Sequence, residues 1–205
     1  LAASPVDAVA TVANITVVQP AEAGFLTADD CTSLPANSPH SNVNFAAGDA
    51  VANLTLSQSE RTADGEQFCI YSQTSTHQLI DVQGFFAPAI QGGLGYNSFL
   101  PSRLVDTRQC WTDPVTSTES CGLLNAANAI VHMQAPTGAK AVVINITTAS
   151  AELNGSYVSA GPCSAITGGI PQFSNVNAVV GTAVANAAIV PVDADDGTVA
   201  DQQRA

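Results

Sequence analysis

The feature that most constrains this chain is a long internal repeat. Asn14-Ile15-Thr16 returns as Asn145-Ile146-Thr147. In the same order follow Gly24 against Gly155, Cys31 against Cys163, Ser41-Asn42-Val43-Asn44 against Ser174-Asn175-Val176-Asn177, and Ala50-Val51-Ala52-Asn53 against Ala183-Val184-Ala185-Asn186. Across these five matches the offset drifts only between 131 and 133 residues. Collinear matches at near-constant spacing mark a duplication. With 205 residues to divide, each copy has about 100 residues, an ordinary domain size. The expected division is a first domain over 1–90 and a second over 91–205. The boundary falls in Pro88 to Gly95, where Pro and Gly cluster just after the apolar Phe85-Phe86.

Within each copy the apolar pattern has period two. Ala13, Ile15 and Val17 alternate with Asn14 and Thr16, and Ile144 and Ile146 alternate with Asn145 and Thr147, as half-buried strands require. Gln78 to Phe86 alternates in the same way. Clusters of Gly, Pro, Asn, Asp and Ser interrupt these runs at short intervals, as over Ser33 to Ser41 and Gly161 to Pro171. The expectation is an all-β chain of two related domains of β-sandwich or Greek-key type in tandem, with little helix. Leu123 to Ile130 is the nearest approach to a helical pattern.

Composition narrows the partners. Seventeen acidic residues against five basic ones give a net charge of -12, which repels phosphate backbones and anionic headgroups, so nucleic acid and membrane insertion are poor expectations. No apolar run approaches the ~20 residues of a membrane helix. Aromatics supply only 5% of residues, so the core must be built from Val, Ile, Leu and Ala. The chain starts at Leu1 followed by small residues, which suits a processed, exported product. Its five cysteines lack a CxxC pair and zinc spacing, which favours disulfides in an oxidising, extracellular or cell-surface setting.

Phe99-Leu100-Pro101-Ser102-Arg103-Leu104-Val105-Asp106-Thr107-Arg108 resembles the PxRLxDTR signature that opens a tandem β domain of secreted and cell-surface proteins of actinobacteria and related bacteria. Ala23 to Thr27, the Ser-Asn-Val-Asn turns, Cys69-Ile70-Tyr71 and the closing Ile80 to Phe86 are similar to other marks of that family. The resemblance implies a non-catalytic accessory or surface module. A complete unit of this kind would run from the PxRLxDTR segment to a DVxGYF-like end. Here the first repeat lacks the opening signature strand and the second lacks the closing strands, so the chain is out of register with its own repeat. At an offset of 132 residues Cys69 matches Asp201.

The cysteines become constraints in this frame. A Cys31–Cys69 bridge would contribute about 3 to 4 kcal/mol in the chain-entropy model, and Cys110 and Cys121 suit a bridged hairpin loop around Trp111. Cys163 then has three readings: a partner beyond the truncated end, an intermolecular bridge within a polymer, or a buried thiol. Arg103, Asp106 and Arg108 place two of only four arginines within six residues, with Asp106 and Arg108 expected on one strand face as a structural ion pair.

Chemistry is sparse. His40, His77 and His132 sit in unrelated contexts and no serine lies in a GxSxG setting, so no enzymatic activity is expected. Asp29-Asp30 and Asp195-Asp196 read as solvated turns. Asp193, Asp195 and Asp196 form a weak calcium candidate without EF-hand spacing, and no other cofactor is expected. Asn14, Asn53, Asn145 and Asn154 each open an N-x-[ST] sequon, read as strand Asn-Thr ladders. The leading expectation is an extracellular structural protein, a homo-oligomer or polymer forming a surface layer, appendage or fibre through β-domain edges. The alternative is a carbohydrate-binding or adhesive module that contacts cell-surface glycan.

Overall fold

The computed structural model describes residues 7–34, 40–63, 65–88, 93–98, 100–122, 129–149, 151–153, 155–167, 171, 173–194 and 197–204. The chain divides into two compact units, Leu1–Gly93 and Leu94–Ala205. Both are built of antiparallel strands, and the helix among the described residues is a single short turn.

In the first unit the strands are β1 (Ala10–Val18), β2 (Gly24–Asp29), β3 (Val43–Phe45), β4 (Ala50–Gln58), β5 (Glu60–Thr62), β6 (Gly65–Gln67), β7 (Cys69–Ser72) and β8 (His77–Phe86). They form the sheets β4-β1-β8 and β3-β2-β7 and the small hairpin β5-β6. Period-two alternation sends Ala13, Ile15 and Val17 of β1 to one face, where Leu26 and Ala28 of β2 and Val43 and Phe45 of β3 meet them across a sandwich core. Each fully buried Val, Leu or Ile contributes about 1.5–3 kcal/mol. The aliphatic composition therefore suffices without large aromatics.

The second unit comprises β9 (Trp111–Thr112), β10 (Glu119–Ser120), β11 (Ile130–Gln134), β12 (Ala141–Thr148), β13 (Tyr157–Pro162), α1 (Cys163–Thr167), β14 (Val176–Asn177), β15 (Val184–Pro191) and β16 (Thr198–Arg204). Its sheets are β11-β16-β13-β14, β12-β15 and the hairpin β10-β9. Ile146, Val158, Val176, Ala188, Val190 and Val199 are among the residues of its core.

Register relates the two units residue by residue. Ile15 pairs with Asn53 in β1–β4, and Ile146 pairs with Asn186 in β12–β15. Asn42 Oδ1 accepts a hydrogen bond from the Ala28 N–H at 2.7 Å, and Asn175 Oδ1 accepts one from the Ala160 N–H at 2.7 Å. Asn53 Nδ2 donates to the Asn42 carbonyl at 2.5 Å, as Asn186 Nδ2 donates to the Asn175 carbonyl at 2.6 Å. The repeated Ser-Asn-Val-Asn and Ala-Val-Ala-Asn motifs are thus one hydrogen-bonded clamp built twice.

Three sequence expectations need correction. Gly24 and Gly155 are not equivalent: Gly24 opens β2 opposite Phe45, whereas Gly155 lies in a turn with φ +85° before β13 begins. A Cβ on Gly24 would come within 3.0 Å of the Thr74 hydroxyl oxygen, so close approach and not backbone conformation requires glycine there. Second, Ala28 faces Ile70 while Ala160 faces Asp201, and Asp29 faces Cys69 while Gly161 faces Ala200. Ala200 therefore occupies the place of Cys69, and Asp201 that of Ile70. Third, Pro101 to Arg108 forms no strand. Of the helical candidate Leu123 to Ile130, residues 123–128 lie outside the described residues. So do residues 89–92 of the expected linker.

Candidate functional site

Three places in the fold gather polar chemistry or unsatisfied structure. The first is the signature segment. Asp106 starts a turn whose Gln109 N–H donates to the Asp106 carbonyl at 3.0 Å, so Asp106 and Arg108 do not share a strand face as expected. Asp106 instead receives both arginines. Arg108 Nε donates to Oδ1 at 2.8 Å and Arg108 Nη2 to Oδ2 at 2.7 Å, a bidentate contact, while Arg103 Nη1 reaches Oδ2 at 3.0 Å. The Arg108 hydrogen bonds, reinforced by Arg103, hold the Asp106 carboxyl well below the usual carboxylate range. Both guanidinium groups are largely exposed, so the cluster fixes the local chain more than it stabilises the fold. Arg103, Leu104, Asp106, Gln109, Cys110 and Trp111 line a depression of about 290 Å³ beside it. The Trp111 indole N–H is buried with no hydrogen-bond partner among the described residues.

Cys110 is bonded to Cys121, closing the loop that carries β9 and β10. Inside it Asp113 organises the turn. Its Oδ1 accepts from the Val115 and Thr116 N–H groups at 2.9 and 2.8 Å, and its Oδ2 lies 2.8 Å from Nδ1 of His132 on β11. Burial opposes ionisation of Asp113, but the Thr116 N–H, the His132 ring and the Val115 N–H outweigh it and bring the carboxyl down to about 2. Sequence reading missed this pair because nineteen residues separate the partners. The Asp113-Pro114 turn signal was its only trace.

Second, Cys31 is bonded to Cys69, tying the end of β2 to β7. Cys163, the repeat mate of Cys31, is a half-buried thiol at the start of α1. Asp193, the first residue of the calcium candidate, spends its carboxylate on Ser164, with Oδ2 accepting from the N–H at 2.9 Å and Oδ1 from the hydroxyl at 2.5 Å. It thereby caps α1, whose first N–H groups need an acceptor. Asp195 and Asp196 lie outside the described residues, as does Asn154. Cys110, Glu119 and Cys121 lie close together, but a disulfide offers no thiolate to a metal. Asp30, expected in a solvated turn, is 6% exposed and accepts the Ser33 N–H at 2.8 Å; the Ser33 hydroxyl and then this N–H hold its carboxyl below the usual range.

The third place is a sheet edge. β1 has β4 on one side and β8 on the other. Its repeat mate β12 pairs only with β15 among the described residues. Burial differs accordingly: Val12 is 2% exposed and its mate Val143 52%. Asn14 and Thr16 are fully buried, while Asn145 and Thr147 are exposed. Side-chain contacts run along both strands, from Asn14 to Thr16 at 3.5 Å and from Asn145 to Thr147 at 3.4 Å.

In the opposite sheet the asymmetry reverses. β7 ends its sheet, whereas the corresponding β16 carries β11 on its far side. On β16, Asp201 points to the same side as the core residue Val199. Asp201 is half-buried there, and desolvation pushes its carboxyl up to about 7. No helix among the described residues is long and apolar enough to cross a membrane. No family model matches the chain, and neither a curated protein nor a solved structure does.

Proposed function

We infer that the chain is an extracellular, non-catalytic structural protein, a subunit of a surface layer, appendage or fibre that assembles through the open edges of its β units. The observation that carries this reading is β12. Its repeat mate is flanked on both edges, while among the described residues β12 has a neighbour on one edge alone, and such edges pair with other chains unless something covers them. Ala141 to Thr148 contains none of the lysines or prolines that usually discourage such pairing. The two disulfides support an oxidising compartment. The high negative charge keeps such a surface soluble between its contacts. Molar mass by light scattering with negative-stain imaging tests the reading, with and without reductant. Concentration-dependent large species support it, and a monomer throughout sinks it.

A second reading is favoured by the depression beside Trp111. An indole, a guanidinium group, a carboxylate and an amide at one rim are the groups that hold a polar, planar-faced ligand such as a glycan. This is the reading that a monomeric chain would bring forward.

A further inference from the structure

Resting on the second reading above and independent of assembly, we propose that the depression beside Trp111 binds a carboxylate-bearing sugar, with Arg103 taking the carboxylate and Leu104 and Trp111 taking the ring.

The hydrogen-bonding capacity of the rim selects the ligand. A carboxylate accepts about four hydrogen bonds in all. Asp106 already accepts from the Arg108 N–H and Nε on Oδ1, and from Arg108 Nη2 and Arg103 Nη1 on Oδ2. It has no capacity left for a sugar hydroxyl, and the bidentate contact commits Arg108 to the same group. Arg103, by contrast, engages Nη1 alone, and among the described residues nothing takes the rest of its guanidinium fork. The Gln109 side-chain amide, exposed at the same rim, adds one donor group and one acceptor. The side chains that meet an incoming molecule therefore offer more donors than acceptors. A carboxylate is all acceptor, and an arginine fork holds it through two parallel hydrogen bonds.

Charge points the same way. Two guanidinium groups against one carboxylate leave the cluster positive, in a chain whose net charge is -12. The rest of the lining suits a sugar ring. Leu104 is 57% exposed, and the indole N–H, the only polar atom of the Trp111 side chain, is buried, so that side chain shows carbon to solvent. The C–H face of a pyranose packs on such a surface. Glu119 limits the charge of the ligand. Its carboxylate lies within 4.8 Å of the Cys110 sulfur, outside the lining, and repels a second anionic group on that side.

Trp111 is the only tryptophan, so its fluorescence reports the depression directly. The full chain is titrated with methyl glucuronide, with methyl glucoside as the neutral counterpart of the same shape and acetate as the bare carboxylate, and saturation-transfer NMR of each ligand gives a second readout. Saturable binding of the glucuronide, at least about tenfold tighter than that of the glucoside or acetate, is expected. Arg103→Gln leaves the Asp106–Arg108 contact in place and alters an exposed side chain, so it should fold normally and weaken glucuronide binding by about tenfold. Glu119→Gln should tighten it, and Arg61→Gln in the first unit should leave it unchanged. Equal binding of the glucoside, or binding indifferent to Arg103→Gln, overturns the acidic ligand and leaves the glycan reading standing. Acetate binding as tightly as the glucuronide overturns the sugar. No response to either sugar up to about 50 mM overturns the proposal and the glycan reading together.

Discussion

Asn175→Ala tests whether the repeated Asn clamp holds the second unit together. Asn175 is 2% exposed, and its Oδ1 accepts the N–H of Ala160, itself 5% exposed, at 2.7 Å. Truncation leaves the main-chain bonds of residue 175 in place, from its N–H to the Val158 carbonyl and from Asn186 Nδ2 to its own carbonyl. What is lost is one bond, and one amide is left in the interior with no acceptor. Losing such a bond and stranding the donor costs about 2–3 kcal/mol. Asn42→Ala breaks the same bond to Ala28, but Asn42 is half-exposed and water can replace it, so about 1 kcal/mol is expected. Trp111 is the only tryptophan and belongs to the second unit, so its fluorescence in urea follows that unit. With a slope of about 2 kcal/mol per molar, Asn175→Ala should lower the fluorescence midpoint by about 1 M. A shift below about 0.2 M, or an Asn42→Ala loss in its own unit as large as that of Asn175→Ala, would refute the reasoning.

Asp201 gives a pH test. Its folded pKa of about 7 lies well above the ordinary range of an aspartate, so the folded chain holds a proton that the unfolded chain releases. Stability should therefore fall as pH rises from about 4 to about 7. Asp201→Asn, which keeps the shape and removes the charge, should stabilise the chain at pH 8 and flatten that decline in pH-dependent urea melts. An unchanged profile would contradict the desolvation that raises the Asp201 carboxyl. Ala200→Cys should let Cys163 close a disulfide, because Ala200 faces Gly161 as Cys69 faces Asp29. Intact mass spectrometry should show the loss of two hydrogens, with a gain of about 3–4 kcal/mol. Persistence of two titratable thiols in the folded variant would break the correspondence.

Period-two alternation in β1, β8 and β12 made the strands legible, because burial on one face of a sheet selects apolar residues at every second position. The duplication was legible for the same reason: the clamp asparagines need their side chains in both copies. Sequence offset failed by one residue at Gly24 and at Cys69, since turns of different length restart the count and only hydrogen-bond register fixes it. The strand expected over Pro101 to Arg108 failed because Asp106 folds back to two arginines and starts a turn. The His132–Asp113 contact was hidden because it joins a turn to a strand far along the chain. The open edge of β12 could not be read from composition at all. Among the described residues β12 has no neighbour besides β15, and only the strand order displays that.

Whether β12 mediates assembly is tested most directly by weight-average molar mass from light scattering over a wide concentration range. Wild type should be compared with Asn145→Lys/Thr147→Lys under oxidising and reducing conditions. Wild type should grow beyond the monomer with concentration whether or not reductant is present, if strand addition alone links the copies, and the lysine variant should remain monomeric. A wild type and variant that grow alike, or a wild type that stays monomeric throughout, would contradict it.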